Sequence, residues 1–148
     1  MTKLSDHFSL EELTYSDTAV RLKLSNLPPT ADLVRLTATA QAMEAVRDLL
    51  GKPIKVSSGY RGAALNKAVG GAKSSAHCFG YAVDFRCDGF GSPYDVCMAI
   101  AGSGIVFDQL IHEYGRWTHI SFDPRRRKMP LSIFSAKRGY LNGILPVP

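Results

Sequence analysis

The chain has 148 residues, of which 45% are hydrophobic and 21% charged, and its formal net charge is +5. This is the composition of a soluble globular domain, long enough to bury a core of its own. No apolar run approaches the ~20 residues of a membrane span, and the three cysteines, Cys78, Cys87 and Cys97, cannot build a disulfide framework.

In chain order, Ser9-Leu10-Glu11-Glu12-Leu13 places a serine three residues ahead of a glutamate, the capping-box spacing of a short helix. Asn26-Leu27-Pro28-Pro29 breaks whatever precedes it. Leu33, Leu36, Ala40, Met43, Val46 and Leu50 then share one helical face, predicting a long amphipathic helix from 30 or 31 to 50. Gly51 and Pro53 stop it. Residues 54–57 read as a strand, 63–69 as a short helix, and Gly70-Gly71 as a loop. Tyr81, Val83 and Phe85 alternate with Ala82 and Asp84. A strand here turns the large apolar residues to the core and the carboxylate to the opposite face. Pro93 suits the first position of a helix that ends by Gly102. Residues 107–113 and 117–122 read as a hairpin closed around Gly115, and residues 131–148 add a strand or pack as an irregular tail. No repeat, linker or second domain is visible. One domain over residues 1–148 is expected, α+β in class, with helices on one face of a small, mostly antiparallel sheet.

The chemistry concentrates in S-x-H-x-x-G-x-A-x-D, residues 75–84, answered later by Trp117-Thr118-His119 on a strand. His77, Asp84 and His119 are the N/O donor set of a catalytic zinc ion with one position left open for water. A bare H-x6-D arises often by chance, whereas the full pattern with its later W-x-H is specific. Cys78 adjoins His77 and is the alternative ligand, although neighbouring side chains in an extended segment point apart. The same donors also hold other divalent ions.

With Val56-Ser57-Ser58-Gly59-Tyr60-Arg61, Leu65-Asn66-Lys67-Ala68-Val69-Gly70-Gly71, Phe107-Asp108-Gln109-Leu110-Ile111 and Trp117-Thr118-His119-Ile120-Ser121-Phe122, these residues carry a family resemblance. The chain resembles the zinc D-Ala-D-Ala carboxypeptidase and L,D-endopeptidase family, peptidase family M15, in its small phage-endolysin-like form. An opening like His7-Phe8-Ser9-Leu10-Glu11-Glu12-Leu13 also recurs there, so the likeness runs from His7 to about Asp123. It implies a Hedgehog/DD-peptidase-like fold, with His77, Asp84 and His119 as zinc ligands. Residues after Asp123 carry no motif that can be placed.

Such peptidases often set their catalytic carboxylate three residues before the last histidine. Here that residue is Arg116, which cannot serve as a base. The small phage-like members carry an acid just before the hairpin turn instead, and Glu113 matches it. Strand parity bears on this choice. A three-residue turn, Tyr114-Gly115-Arg116, sets Glu113 opposite Trp117 and Ile111 opposite His119, so that Glu113 shares the face of His119. A two-residue turn, Gly115-Arg116, sets His112 opposite His119 and makes it the base or a fourth ligand. Glycine supports either turn.

The resemblance gives Arg61 the role of electrophile, and its planar donor fork suits a substrate carboxylate or a developing oxyanion. Otherwise it is a surface arginine bridging a loop. Ser75 is a substrate contact or a turn residue, and Trp117 a cleft wall or an interior indole. Gly80 permits a close backbone approach beside the metal, or is an ordinary turn glycine. Asp108 and Gln109 orient a ligand histidine or face solvent. His7, remote in sequence, reads as a surface or capping histidine.

The expected function is a zinc-dependent peptidase acting on peptidoglycan stem peptides, as a D-Ala-D-Ala carboxypeptidase or an endopeptidase. Glu113 and Arg61 are its expected catalytic residues, and Ser75 and Trp117 its substrate contacts. The competing expectation is a non-catalytic, zinc-stabilised wall-binding or phage structural protein, because the Hedgehog signalling domain shares the fold and the ligands. Catalysis is favoured where Glu113 and Arg61 both point into the cleft. Arg125-Arg126-Arg127-Lys128 is a solvated turn or an attraction for an anionic polymer. Without a recognition helix or a basic stripe interleaved with aromatics, nucleic acid is not an expected partner. A monomer is expected. Residues 1–6 lack an apolar h-region, so no secretory signal is visible. Access to the wall would then need release by lysis, as for a phage or prophage product.

Overall fold

The clearest sequence period forms the longest element. In the computed structural model, which describes residues 1–148, helix α3 (Thr30–Leu50) spans the predicted range. Gly51 ends it in the left-handed region at φ +64, its amide donating to the Arg47 carbonyl. Leu36, Ala40, Met43, Val46 and Leu50 are all buried, and each larger side chain contributes roughly 2 kcal/mol by leaving water. Two short helices precede it. Helix α1 (Leu10–Thr14) is closed by the reciprocal Ser9–Glu12 capping box, and α2 (Asp17–Arg21) is capped by Ser16. At five residues α2 has no apolar repeat to betray it. His7 lies at the surface, with Nδ1 2.5 Å from Glu44, and ties the N-terminal segment to α3.

Six strands form one sheet: β1 (Lys55–Ser58), β2 (Ala82–Arg86), β3 (Gln109–Glu113), β4 (Trp117–Ser121), β5 (Met129–Ile133) and β6 (Tyr140–Asn142). Their order is β1-β2-β4-β3-β5-β6, and only β3 and β5 run parallel. The fold is α+β with a mostly antiparallel sheet, as its pattern predicts. Val83, Phe85, Leu110 and Ile120 turn to one face and pack with α3 and with α5 (Pro93–Ala101) in the main core. Alternation sends Asp84, His119, Ile111 and Glu113 to the other face, where Ile111, Leu131 and Ile133 form a small apolar cluster. The tail is more regular than its sequence suggests. It supplies β5 and β6, and Leu145 then returns its carbonyl to His112 Nδ1 at 2.8 Å.

Helix α4 (Ala63–Ala68) and a 3-10 turn (Ala76–Phe79) link β1 to β2. The turn corrects the expectation of an extended segment around His77. It ends at Gly80, with φ +84, where a Cβ would stand 2.8 Å from the Asp32 carbonyl oxygen and 3.0 Å from the Leu36 nitrogen. The close approach that glycine allows is therefore to α3, and Thr39 Oγ1 fastens it by donating to the Gly80 carbonyl at 2.6 Å. The three cysteines are free. Cys97 fills space in the core, where burial pushes its thiol up to about 12.

Asp108 neither orients a histidine nor faces solvent. It is 2% exposed and accepts from Arg127 three times, through the backbone amide at 3.0 Å, Nε at 2.9 Å and Nη2 at 2.8 Å. Arg125 lies 3.8 Å from the same carboxylate and pairs with Asp123 at 3.1 Å. Part of the basic run is thus a clamp between the starts of β3 and β5. Hydrogen bonds from Arg127 hold the Asp108 carboxyl below its ordinary range. Asp108→Asn is expected to lower stability by about 2 kcal/mol at pH 7. A folded pKa depressed below ~4 contributes stability that is complete above that value and lost on acidification. Urea melts should therefore show the gap between wild type and variant closing as the pH falls below 4.

Candidate active site

His77, Asp84 and His119 come from three different elements and converge on the open face of the sheet. The 3-10 turn carries His77, β2 carries Asp84 and β4 carries His119, with Asp84 directly opposite His119 in the antiparallel register. All three are buried. Asp84 Oδ1 lies 2.8 Å from His119 Nδ1 and 3.2 Å from His77 Nε2. One donor atom from each residue falls within 4.8 Å of the other two, a cluster that could hold a metal ion.

The surroundings fix which nitrogen faces inward. His77 Nδ1 lies 2.7 Å from the Gly59 carbonyl oxygen, which can only accept. The Nδ1 proton is spent there, leaving Nε2 with its lone pair toward Asp84. Two acceptors 3.2 Å apart repel unless positive charge lies between them, so the donor set fits a cation. Burial alone would raise the Asp84 carboxyl. Positive charge shared with the imidazoles of His77 and His119 outweighs it and holds the group well below the usual carboxylate range.

The hairpin register decides the next residue. Glu113 pairs with Trp117 and Ile111 with His119, so the turn has three residues, Tyr114, Gly115 and Arg116. Tyr114 at φ +59 and Gly115 at φ +66 both take the left-handed region that lets the chain reverse there. Glu113 consequently shares the site face, with Oε1 3.6 Å from His119 Nδ1. Burial first and the Asp84 charge second push the Glu113 carboxyl up to about 7, while His119 and Arg61 pull it down. His112 faces the other way, packed edge-on to Phe134 and beside Tyr94 of α5. Arg116 sits exposed in the turn.

Arg61 lines the same cleft of about 370 Å³, with Ser75, Trp117 and Gln109. Its backbone amide donates to the His77 carbonyl at 3.1 Å, while the guanidinium makes one long contact of 3.5 Å to Ser75 Oγ and leaves Nε without a partner. Asn26, which the sequence shows only as a helix breaker, steadies this segment. Its amide donates to the Tyr60 carbonyl at 2.9 Å and its oxygen accepts from the Gly62 amide at 2.8 Å. Ser75 caps the 3-10 turn by accepting from the His77 amide at 3.3 Å. The buried Trp117 N–H leans toward the Glu113 carboxylate without closing a hydrogen bond. Cys78 belongs to a separate groove, of about 790 Å³, with Tyr60, Asn66 and Lys67. A tyrosine from the tail, Tyr140, also lines the metal cleft, and no spacing in the sequence points to it.

The family model described as Peptidase M15 matches residues 6–121, most of the chain. No curated protein matches it. No helix is long and apolar enough to cross a membrane.

Divalent ion binding tests the convergence of the three donors directly. Stoichiometric zinc is expected to raise the melting temperature of the wild-type chain. Asp84→Ala and His119→Ala should abolish that rise and weaken zinc binding by more than ~100-fold, since even loss of a ligand's hydrogen-bond partner costs up to that much. Scanning fluorimetry and metal analysis after dialysis read both.

Proposed function

The chain belongs to the Peptidase M15 family, and from that premise we propose that it is a zinc peptidase acting on peptidoglycan stem peptides. The bond cut is the terminal D-Ala-D-Ala bond or an endopeptidic bond nearby. One observation carries the catalytic reading over a binding one: Glu113 and Arg61 both line the cleft formed around His77, Asp84 and His119.

In this reading His77 Nε2, His119 Nδ1 and an Asp84 oxygen hold the ion. Zinc supplies Lewis acidity there, lowering the pKa of a water toward ~7 and polarising a carbonyl. Glu113 takes a proton from the attacking water as the new C–O bond forms. It passes that proton to the leaving nitrogen as the C–N bond breaks, giving a free carboxylate and an amine. Burial in the cleft raises its carboxyl, the direction that suits a group that must both accept and return a proton. Arg61 offers its guanidinium N–H groups, the unpartnered Nε among them, to the developing oxyanion or to a substrate carboxylate. Gly59 and Asn26 act one step back. The first keeps His77 in the tautomer that binds metal, and the second keeps the backbone on either side of Arg61 in place. Ser75 and Trp117 contact the bound peptide. Stem peptides lie in the cell wall, so the site of action is the wall. The chain works as a monomer, with no nucleic acid partner.

Digestion of purified peptidoglycan, read by mass spectrometry of the released fragments, tests the proposal and identifies the bond. Chelation should stop release and zinc should restore it. Glu113→Ala is expected to lose ~10²–10⁴ in rate while keeping its metal, and Arg61→Ala ~10²–10³. Stoichiometric zinc with no fragment released from any wall would instead establish a binding protein.

A further inference from the structure

The chain beyond Asp123 lies outside the span that matches the family, 6–121, yet it completes the cleft. Trp117 pairs with Glu113, Glu113 with Ile133, and Ile133 with Tyr140, so four adjacent strands contribute one transverse row on the site face. Two strand spacings, about 10 Å, separate the backbones of Glu113 and Tyr140. The phenol nevertheless lines the same cleft as Glu113, His119 and Trp117. Ile133, between them in the row, is only 7% exposed, whereas Tyr140 is 61% exposed. Burial of its hydroxyl region, then the charges of Glu113, Tyr114 and Asp84, raise its pKa, consistent with a ring that leans back over the site. A ring this open adds little to the core.

Its place in the sheet gives this position meaning. Arg61 follows β1 at one edge and Tyr140 stands on β6 at the other, with Asp84, His119 and Glu113 on β2, β4 and β3 between. We propose that Tyr140 is a substrate-contacting residue, its ring packing against the peptide on the side of the scissile bond opposite Arg61. The proposal rests on the peptidase reading of the same cleft. Ile111 and Trp117 also line the cleft and make it partly apolar, and the Glu113 carboxylate repels a like charge. The position therefore favours a neutral residue over an acidic one.

The probes are synthetic stem tri-, tetra- and pentapeptides, titrated calorimetrically into zinc-loaded full-length chain carrying Glu113→Gln, which blocks turnover. Adding Tyr140→Ala should weaken binding about ten-fold and Tyr140→Phe less than two-fold, with zinc content unchanged in both. In the otherwise wild-type chain the Tyr140→Ala loss should fall in KM, with kcat within about three-fold. Unchanged affinity in Tyr140→Ala overturns the contact, as does an equal loss in Tyr140→Phe. If wild-type chain cleaves the wall in that case, the peptidase reading stands without it. Binding that depends on Tyr140 with no cleavage by wild type would keep the contact and sink the hydrolytic reading. Failure of every peptide to bind overturns the contact, and wall digestion then judges the peptidase reading separately.

Discussion

Asp84 holds its carboxylate on the open face of an interior strand, 2.8 Å from one imidazole nitrogen and 3.2 Å from another. A negative group so placed is tolerable only with positive charge at hand, because burial strips its hydration and neighbouring lone pairs repel it. Much of the surrounding architecture serves that requirement. The Gly59 carbonyl occupies the outward nitrogen of His77, and the antiparallel register brings His119 directly across from Asp84. The opposite face of the same strand carries Val83 and Phe85 into the core. Moving Asp84 by one residue would exchange its face with theirs, so the site and the core are specified together.

The same logic extends along the sheet. Three residues in the β3–β4 turn put Glu113 beside the His77, Asp84 and His119 cluster and bury His112 against Tyr94 and Phe134. A two-residue turn would have exchanged these roles. Tyr114 takes a positive φ in that turn at a modest local cost, and its amide is used by the Ile133 carbonyl at 2.7 Å. The tail strand therefore helps to hold the turn that orients Glu113. Asp108 does similar work at the far end of β3, where the Arg127 clamp starts β5 in its parallel register.

The distribution of charge follows from this arrangement. Two basic residues that look like part of an electrostatic surface in the sequence are tied up locally: Arg127 by Asp108, and Arg125 by Asp108 and Asp123. Arg61 forms no ion pair and keeps Nε unpartnered in the cleft. Its guanidinium lines the cleft with His77, Asp84 and His119, apart from the basic run.

Much was legible in the one-dimensional pattern. Alternation in residues 81–85 settled the face of Asp84, the 3.6-residue period settled α3, and Ser9 and Pro93 marked helix starts, because each signal is local and repeats over a few residues. The H-x6-D and W-x-H spacings named the three donors for the same reason. What required the folded chain was contact between segments distant in sequence. The resemblance favours Glu113, but strand parity cannot exclude His112 until the turn length is known, since it depends on where the partner strand begins. Asn26 against Tyr60, Asp108 against Arg127 and Tyr140 across from Glu113 have no fixed spacing to reveal them. Strand pairing brings such residues together only after the sheet has closed, so the donors were written in the sequence and their surroundings were decided by the tertiary fold.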